Sequence, residues 1–428
     1  MRTFLISRKT WKACRIKTML QSRKNRAHVS FHMPGHKHRG DDITELSYSD
    51  NLASPSGCIQ QAQAEIAAIL GAGAAFLLTD GSTSGVYSML KAAKQIGVKT
   101  IAAPVLSHKS FFNGCALLGL APVLFELPMA ATPLPVGIDD CADVLAEADA
   151  LFLTSPDYYG NIPDLAAIEA LCKRQGKLLL IDGAHGGHLH FHSALYAGQY
   201  ADFWVDGVHK SLPALTQGAV VCAKSEEGGA ALEEAVEVFR TSSPSYPIMA
   251  SVEFAVKYPQ NTWLEARVAQ LKAKYDCIYQ NADWTKVIVF VDDGFTAAKQ
   301  LEKQGIFAEF SDVHVVCFYL SPVTTKRQIR LLEMVIAKWQ KKGVTIPQNA
   351  LPSNPAPRIL QNIDGKETEF VPLNEAEGRI VARTVGLFPP CLALAVKGEC
   401  LTKEHITRLQ RADNTFGLKE NKILVVKG

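Results

Sequence analysis

The sequence predicts an α/β protein built on a mostly parallel sheet, and two features carry that reading. From about residue 61 short apolar runs alternate with stretches of helical periodicity, and the apolar runs end in polar, often glycine-containing clusters. Short strands that are apolar throughout are covered on both faces, and intervening helices make their neighbours parallel. In such sheets ligands gather at the carboxyl ends of the strands.

Taken in order, AQAEIAAILGA reads as a helix, AAFLLT as a buried strand, GVYSMLKAAKQIG as a helix and VKTIAAPV as a strand. HKSFFNGCALLG (helix), APVLFEL (strand), CADVLAEA (helix) and ADALFLTSP (strand) follow. IPDLAAIEALCKRQG is a helix, and KLLLID, ADFWVDG and QGAVVCAK are strands. Beyond about Ser251, WTKVIVFVDD, FTAAKQLEKQG, IFAEFSDVHVVCFYLSP and TKRQIRLLEMVIAKWQKKG form a smaller α/β unit. The division expected is an N-terminal arm (29–60), a large domain (61–250), a small domain (251–345), a proline-bearing linker (346–360) and a C-terminal segment (361–428). Residues 1–28, rich in Lys and Arg and lacking Asp and Glu, read as a disordered basic leader, with Met19 as a second candidate start.

A chain of 428 residues exceeds one small core, and 47% hydrophobic against 20% charged residues marks it as globular. No stretch is apolar for the roughly 18 residues that a membrane span needs. A net charge of +3 is too near balance to point to nucleic acid. The ten cysteines have no CxxC pairing, which fits a reducing cytoplasm.

The chemistry lies in the strand-end loops. In DGSTSG, Gly81 permits close approach of a ligand, and Ser82, Thr83 and Ser84 open a helix whose N-terminal N–H groups suit an anion. In DGVHK, Lys210 follows a strand end beside His209, where desolvation favours an amine able to form an imine with an aldehyde. Asp182 ends KLLLID, and a buried carboxylate there needs a partner such as a protonated ring nitrogen. His108, in SHKS, offers a ring to lie on a planar ligand. A phosphate cradle, an imine lysine, a strand-end acid and a stacking ring are together what pyridoxal 5'-phosphate requires.

The motifs FHMPGHKHRG, DITEL, DNLASPSG, DGSTSG, SHKS, TSPDYYGNIPD, DGAHGGH, HKSLPALTQGA and TSSPSYPIMAS resemble those of the ornithine/lysine/arginine decarboxylases, which have the aspartate-aminotransferase fold. The resemblance implies Lys210 as the Schiff-base lysine, Asp182 as partner of the pyridinium nitrogen, His108 as the stacking ring and His185 near cofactor and substrate. Gly81, Ser82, Thr83 and His209 would hold the phosphate, with Thr241 reaching the phosphate of a neighbouring subunit in a homodimer with shared sites. It implies decarboxylation of lysine, ornithine or arginine, for whose distal cation Asp41, Asp42 and Glu45 are candidate partners. A different reaction on the same cofactor, transamination or elimination, and a non-catalytic role are the rivals. Gly207 stands where the family often has Ser, removing a phosphate hydroxyl, and Gly183 stands where it often has Glu.

The histidines of IDGAHGGHLHFH raise a separate question. His188, His190 and His192 alternate, so an extended segment would set all three on one face. Structural or solvent-facing roles are expected for them ahead of a substrate channel, and no metal site is expected.

Overall fold

The computed structural model describes residues 9–23, 29, 31–37, 41–127, 132–341, 343, 360–361, 363, 365–387, 392–411 and 414–428. Its main sheet comprises β1 (Ala74–Leu78), β2 (Thr100–Pro104), β3 (Ala121–Phe125), β4 (Ala150–Thr154), β5 (Leu178–Gly183), β6 (Phe203–Asp206) and β7 (Ala219–Ala223), in the order β1-β7-β6-β5-β4-β2-β3. The neighbours β3, β2, β4, β5 and β6 pair in parallel, whereas β7 is antiparallel to both β1 and β6.

The apolar runs make this sheet because both its faces are covered. Along β5, Leu179 and Ile181 enter one core with Ile168 and Leu171 of the helix Leu165–Gln175. Leu180 enters the opposite core with Val86, Met89 and Leu90 of the helix Gly81–Gln95. The alternation is the two-residue period of a strand, with no polar face to spare. Because β7 runs backwards, its start lies at the edge where β1 and β6 end. Gly81 N–H accordingly donates to the Gln217 carbonyl at 2.9 Å, and His209 N–H to that of Gly218 at 3.0 Å.

The small domain carries β8 (Lys286–Phe290), β9 (Phe310–Ser311) and β10 (Val315–Tyr319), antiparallel in the order β8-β10-β9. Helices Thr262–Lys274 and Lys326–Gln340 pack on it through Leu264, Val268, Leu271, Ile329 and Ile336. The expected boundary at 250/251 falls inside the helix Tyr246–Val256, which packs on the large-domain core through Tyr246, Met249, Val252 and Ala255. The C-terminal part holds the pair β11 (Thr368–Pro372) and β15 (Lys422–Val426). Beside it a small sheet joins β12 (Val385–Leu387), β13 (Leu392–Ala395) and β14 (Thr415–Phe416). Except for Leu360, the expected linker 346–360 lies outside the described residues.

One expectation is corrected. Within the basic leader, Arg15–Arg23 is a helix whose Ile16 (0% exposed) and Leu20 (2%) belong to the large-domain core. The buried Glu253 carboxylate accepts from Arg15 N–H at 2.6 Å and Ile16 N–H at 3.0 Å, filling the role of an N-cap from a distant part of the chain. Trp11 stacks on Phe254 with centroids 3.9 Å apart. Ile16→Ala, upstream of Met19, is expected to lower unfolding free energy by about 2–4 kcal/mol in urea titration. A variant indistinguishable from the parent would put this segment outside the fold.

Candidate active site

The strand-end loops converge as the topology requires. Lys210 lies in the short helix Val208–Ser211 directly after β6, and its Nζ is 3.3 Å from His185 Nε2. His108, His185, His209 and Lys210 line one cavity of about 630 Å³ together with Tyr158, Tyr319 and Glu309.

Each side chain is held by a local device. His108 is the N-cap of the helix Lys109–Leu118, where its Nδ1 accepts from Ser110 N–H at 3.2 Å and shares a 2.7 Å hydrogen bond with Ser110 Oγ. Burial, reinforced by the charges of Lys210 and Lys109, pushes its pKa down to about 3, so the ring is uncharged near neutral pH. His209 Nδ1 lies 3.0 Å from the Gly218 carbonyl oxygen. Asp182, 3% exposed, accepts from Ala184 N–H at 3.0 Å. Burial raises its carboxyl above the ordinary range, against the pull of Lys210 and the Ala184 N–H.

His185 sits edge-on between two tyrosines, with centroids 4.9 Å from Tyr158 and 5.5 Å from Tyr319. Burial first, then the Lys210 charge, holds its pKa well below the ordinary value. It is therefore suited to hydrogen bonding in its neutral form and poorly suited to delivering a proton as imidazolium.

The phosphate-cradle candidates form a neighbouring group. Gly81 takes φ 79°, a left-handed conformation that favours glycine. Ser82 and Thr83 follow it at the start of the helix Gly81–Gln95, and Asp80 Oδ2 accepts from Thr241 N–H at 3.3 Å. Thr241, the 80–83 turn, Gln217–Gly218 and His209 are thus joined by consecutive hydrogen bonds within one chain. None of Gly81, Ser82, Thr83, Thr241 and Asp182 is among the residues lining the 630 Å³ cavity.

Residues Gly187–Phe191 form a 3-10 helix rather than an extended segment, so the three histidines do not share a face. His188 is fully buried against Asp283 at 2.8 Å, His190 Nδ1 lies 2.7 Å from the Gly187 carbonyl oxygen, and His192 is 3.3 Å from Glu265. Among the described residues no group of three or more His, Cys, Asp or Glu is arranged to hold a metal ion. The candidate partners for a distal cation are engaged locally: Asp41 pairs with Lys17 at 2.8 Å, Asp42 with His36 at 2.9 Å, and Glu45 accepts from Thr44 Oγ1. The acid that lines the cavity is Glu309, which the motifs did not reveal because it lies in the small domain, in IFAEFSDVHVV. Tyr319 was equally hidden, although its position at the end of the apolar strand β10 was a usable signal.

A strand-end lysine beside a buried acid and uncharged imidazoles, at the edge of a mostly parallel sheet in an α/β fold, is an arrangement suited to an enzyme that works through an amine. Residues 40–271 match the family model for the Orn/Lys/Arg decarboxylase major domain, and residues 346–417 that for its C-terminal domain. The chain belongs to the Orn/Lys/Arg decarboxylase family and is a decarboxylase enzyme. The uncharacterized protein YaaO of Bacillus subtilis is 29% identical, the match covering 96% of this chain and 97% of that protein. The arginine decarboxylase of Bacillus subtilis is 28% identical, with 91% of each chain covered. The crystal structure of the Francisella novicida lysine decarboxylase LdcF is similar in fold, with a TM-score of 0.75 at 16% identity over 97% of this chain and 81% of that one.

Proposed function

We propose that the chain releases CO2 from a basic amino acid, lysine, ornithine or arginine, leaving the corresponding amine, with pyridoxal 5'-phosphate as cofactor. The observation that carries the reading is one cavity holding the Lys210 amine and, among its described lining residues, Glu309 as the single acid. An amine able to carry the cofactor and an acid in the same cavity suit a substrate whose α-amino end reacts at the cofactor and whose distal cation is held by the acid.

The residues fit the cofactor. Lys210 supplies a primary amine at a strand end, and Asp182 a buried carboxylate whose charge needs a cationic neighbour. Uncharged His108 presents a ring, the Gly81, Ser82, Thr83 and His209 group offers hydroxyls, N–H groups and a helix N-terminus to a phosphate, and Thr241 is the hydroxyl that would reach the phosphate of the neighbouring subunit. When bound, pyridoxal phosphate supplies an aldehyde for the amine and a ring that accepts the electron pair left by CO2. In this reading Asp182 keeps a proton on the ring nitrogen, His185 orients Lys210 through its Nε2, and Lys210 moves the proton to the substrate Cα. Glu309 binds the distal cation. The reading includes a homodimer with shared sites and a cytoplasmic location, the latter supported by the cysteines among the described residues, which are free and mostly buried. Among the described residues no helix is long and apolar enough to cross a membrane.

The test is to load the purified protein with pyridoxal phosphate and offer lysine, ornithine and arginine in turn, measuring CO2 and amine. One of the three should give both, and an oxo-acid or an elimination product in their place would overturn the reading. With that substrate, Glu309→Gln is expected to raise KM about tenfold while kcat changes less, the pattern of lost binding to a remote group.

A further inference from the structure

Beyond the cavity, a closed ring of contacts joins the two domains through fully buried charges. His185 meets the Tyr319 ring edge-on at 5.5 Å. Lys286 Nζ lies 5.1 Å from the Tyr319 ring centroid, in cation–π range. Lys286, 1% exposed, pairs through Nζ with Asp283 Oδ2 at 2.5 Å. Asp283, 0% exposed, accepts from His188 Nε2 at 2.8 Å through its other oxygen, which also takes Thr285 N–H at 2.8 Å and Thr285 Oγ1 at 2.7 Å. His188 stands one turn of chain after His185, and the ring closes there. Tyr319 OH donates to the Tyr158 carbonyl at 2.7 Å, and Asp283 N–H to the Gly160 carbonyl at 3.1 Å, so the large-domain loop that carries Tyr158 is fastened to the same small-domain elements.

Burying three ionisable groups is costly unless their geometry is fixed, and removing one leaves the others uncompensated. Such a cluster adds little to stability over an apolar core of the same shape, which directs attention to what it positions. We propose that His188, Asp283 and Lys286 are positioning residues for the decarboxylation site: they fasten Tyr319 of the small domain against His185 of the large domain and so fix the imidazole facing Lys210. This rests on the function proposed above. None of the three residues lines the cavity, so none is catalytic.

The charges around His185 support the assignment. Lys210 from the helix after β6 and Lys286 from the start of β8 add to burial in keeping it uncharged, Asp283 opposes them, and His108 from the loop after β2, itself uncharged near neutral pH, is the smallest influence. Burial opposes ionisation of Asp283, but His188 and Lys286 outweigh it and hold that carboxyl well below the usual range. Removing Lys286 therefore subtracts a cation near His185 and leaves Asp283 less balanced, and both changes make the imidazole easier to protonate.

The experiment uses the full chain without cofactor for one readout and the loaded enzyme for the other. Imidazole resonances are followed against pH by NMR with ¹⁵N-labelled histidine, the His185 signal being assigned by its loss in His185→Gln. In Lys286→Met the His185 titration should move to higher pH, while Lys286→Arg should return it towards the parent. In the loaded enzyme Lys286→Met should lower kcat about 10- to 100-fold with KM changed less than about threefold, as expected when a reacting group is misplaced rather than removed. A folded Lys286→Met protein with an unmoved His185 titration would overturn the proposal. Should Lys286→Met not fold, His188→Gln, which keeps the Lys286–Asp283 pair, is expected to show the same split in kcat and KM, and parental kinetics there would overturn it equally. A shifted titration in a protein inactive towards lysine, ornithine and arginine would instead remove the proposed reaction and leave the contact network standing.

Discussion

Lys210→Ala is expected to abolish CO2 release, by at least about 10⁴-fold in kcat, and to remove at the same time the visible absorbance that the parent protein acquires on addition of pyridoxal phosphate. The two losses belong together because one amine serves both as the attachment point for the aldehyde and as the base and acid beside the substrate carbon. The protein itself should remain folded. Lys210 is only half-buried, and the ring it approaches at 3.3 Å, His185, is held independently between Tyr158 and Tyr319. Its removal has electrostatic consequences that can be checked independently of turnover. The Lys210 charge is the foremost influence after burial in keeping His185 unprotonated, and it is also what draws the Asp182 carboxyl back towards ionisation. In the Ala variant the imidazole should therefore protonate more readily and the carboxyl ionise less readily. Near-parental thermal unfolding with neither absorbance nor CO2 would support the assignment of Lys210. Retention of absorbance and turnover together would place the reacting amine elsewhere.

The strands and their ends were legible because they follow from simple physics. An apolar run such as LLLI has to be covered on both faces, and the residue that ends it, Asp182, lies at the sheet edge where such sheets bind ligands. Lys210, His209, His185 and His108 could be found in this way, since each follows a strand end within a few residues. Contacts made across domains could not be found. Glu309 and Tyr319 reach the cavity only because the small domain folds back over the large one, and no local pattern encodes that approach. The path of the three histidines was not legible for a related reason. Alternation marks a strand when the backbone is extended, but glycines 186 and 187 lead into a 3-10 turn whose side chains are drawn to three separate partners. The N-terminal helix was hidden by composition: among its basic and polar residues the apolar pair Ile16 and Leu20 is one turn apart, and the acid that caps it lies far along the chain at Glu253.

Gly207 gives the second large expected effect, and its sign is opposite to what the motif alone suggests. A serine there, as the family often has, would be thought to restore a hydroxyl to the phosphate cradle. In this chain a Cβ at position 207 would lie 2.4 Å from the Ala184 carbonyl oxygen and 3.1 Å from the Ala184 C and Cα. The backbone angles at Gly207, φ −79° and ψ 75°, are not in the left-handed region, so the obstacle is space. The obstructing atoms are backbone, on the short link between Asp182 and His185, and position 207 is itself the residue before the helix that carries Lys210. Relief of the overlap must move one group away from the other. Gly183 is confined in the same way, its missing Cβ lying 2.9 Å from both Asp206 Oδ1 and the Val205 carbonyl oxygen. The ends of β5 and β6 are thus packed more closely than side chains at these positions would allow. Gly207→Ser is therefore expected to lower unfolding free energy by about 1–3 kcal/mol. By displacing Lys210 relative to Asp182 and His185, it should also lower kcat about 10- to 100-fold. Urea unfolding and steady-state kinetics on the same preparation decide the matter. Unchanged stability with tighter cofactor binding would mean that the added hydroxyl is accommodated, and the close approach of Gly207 to Ala184 would then not be what holds Lys210 in place.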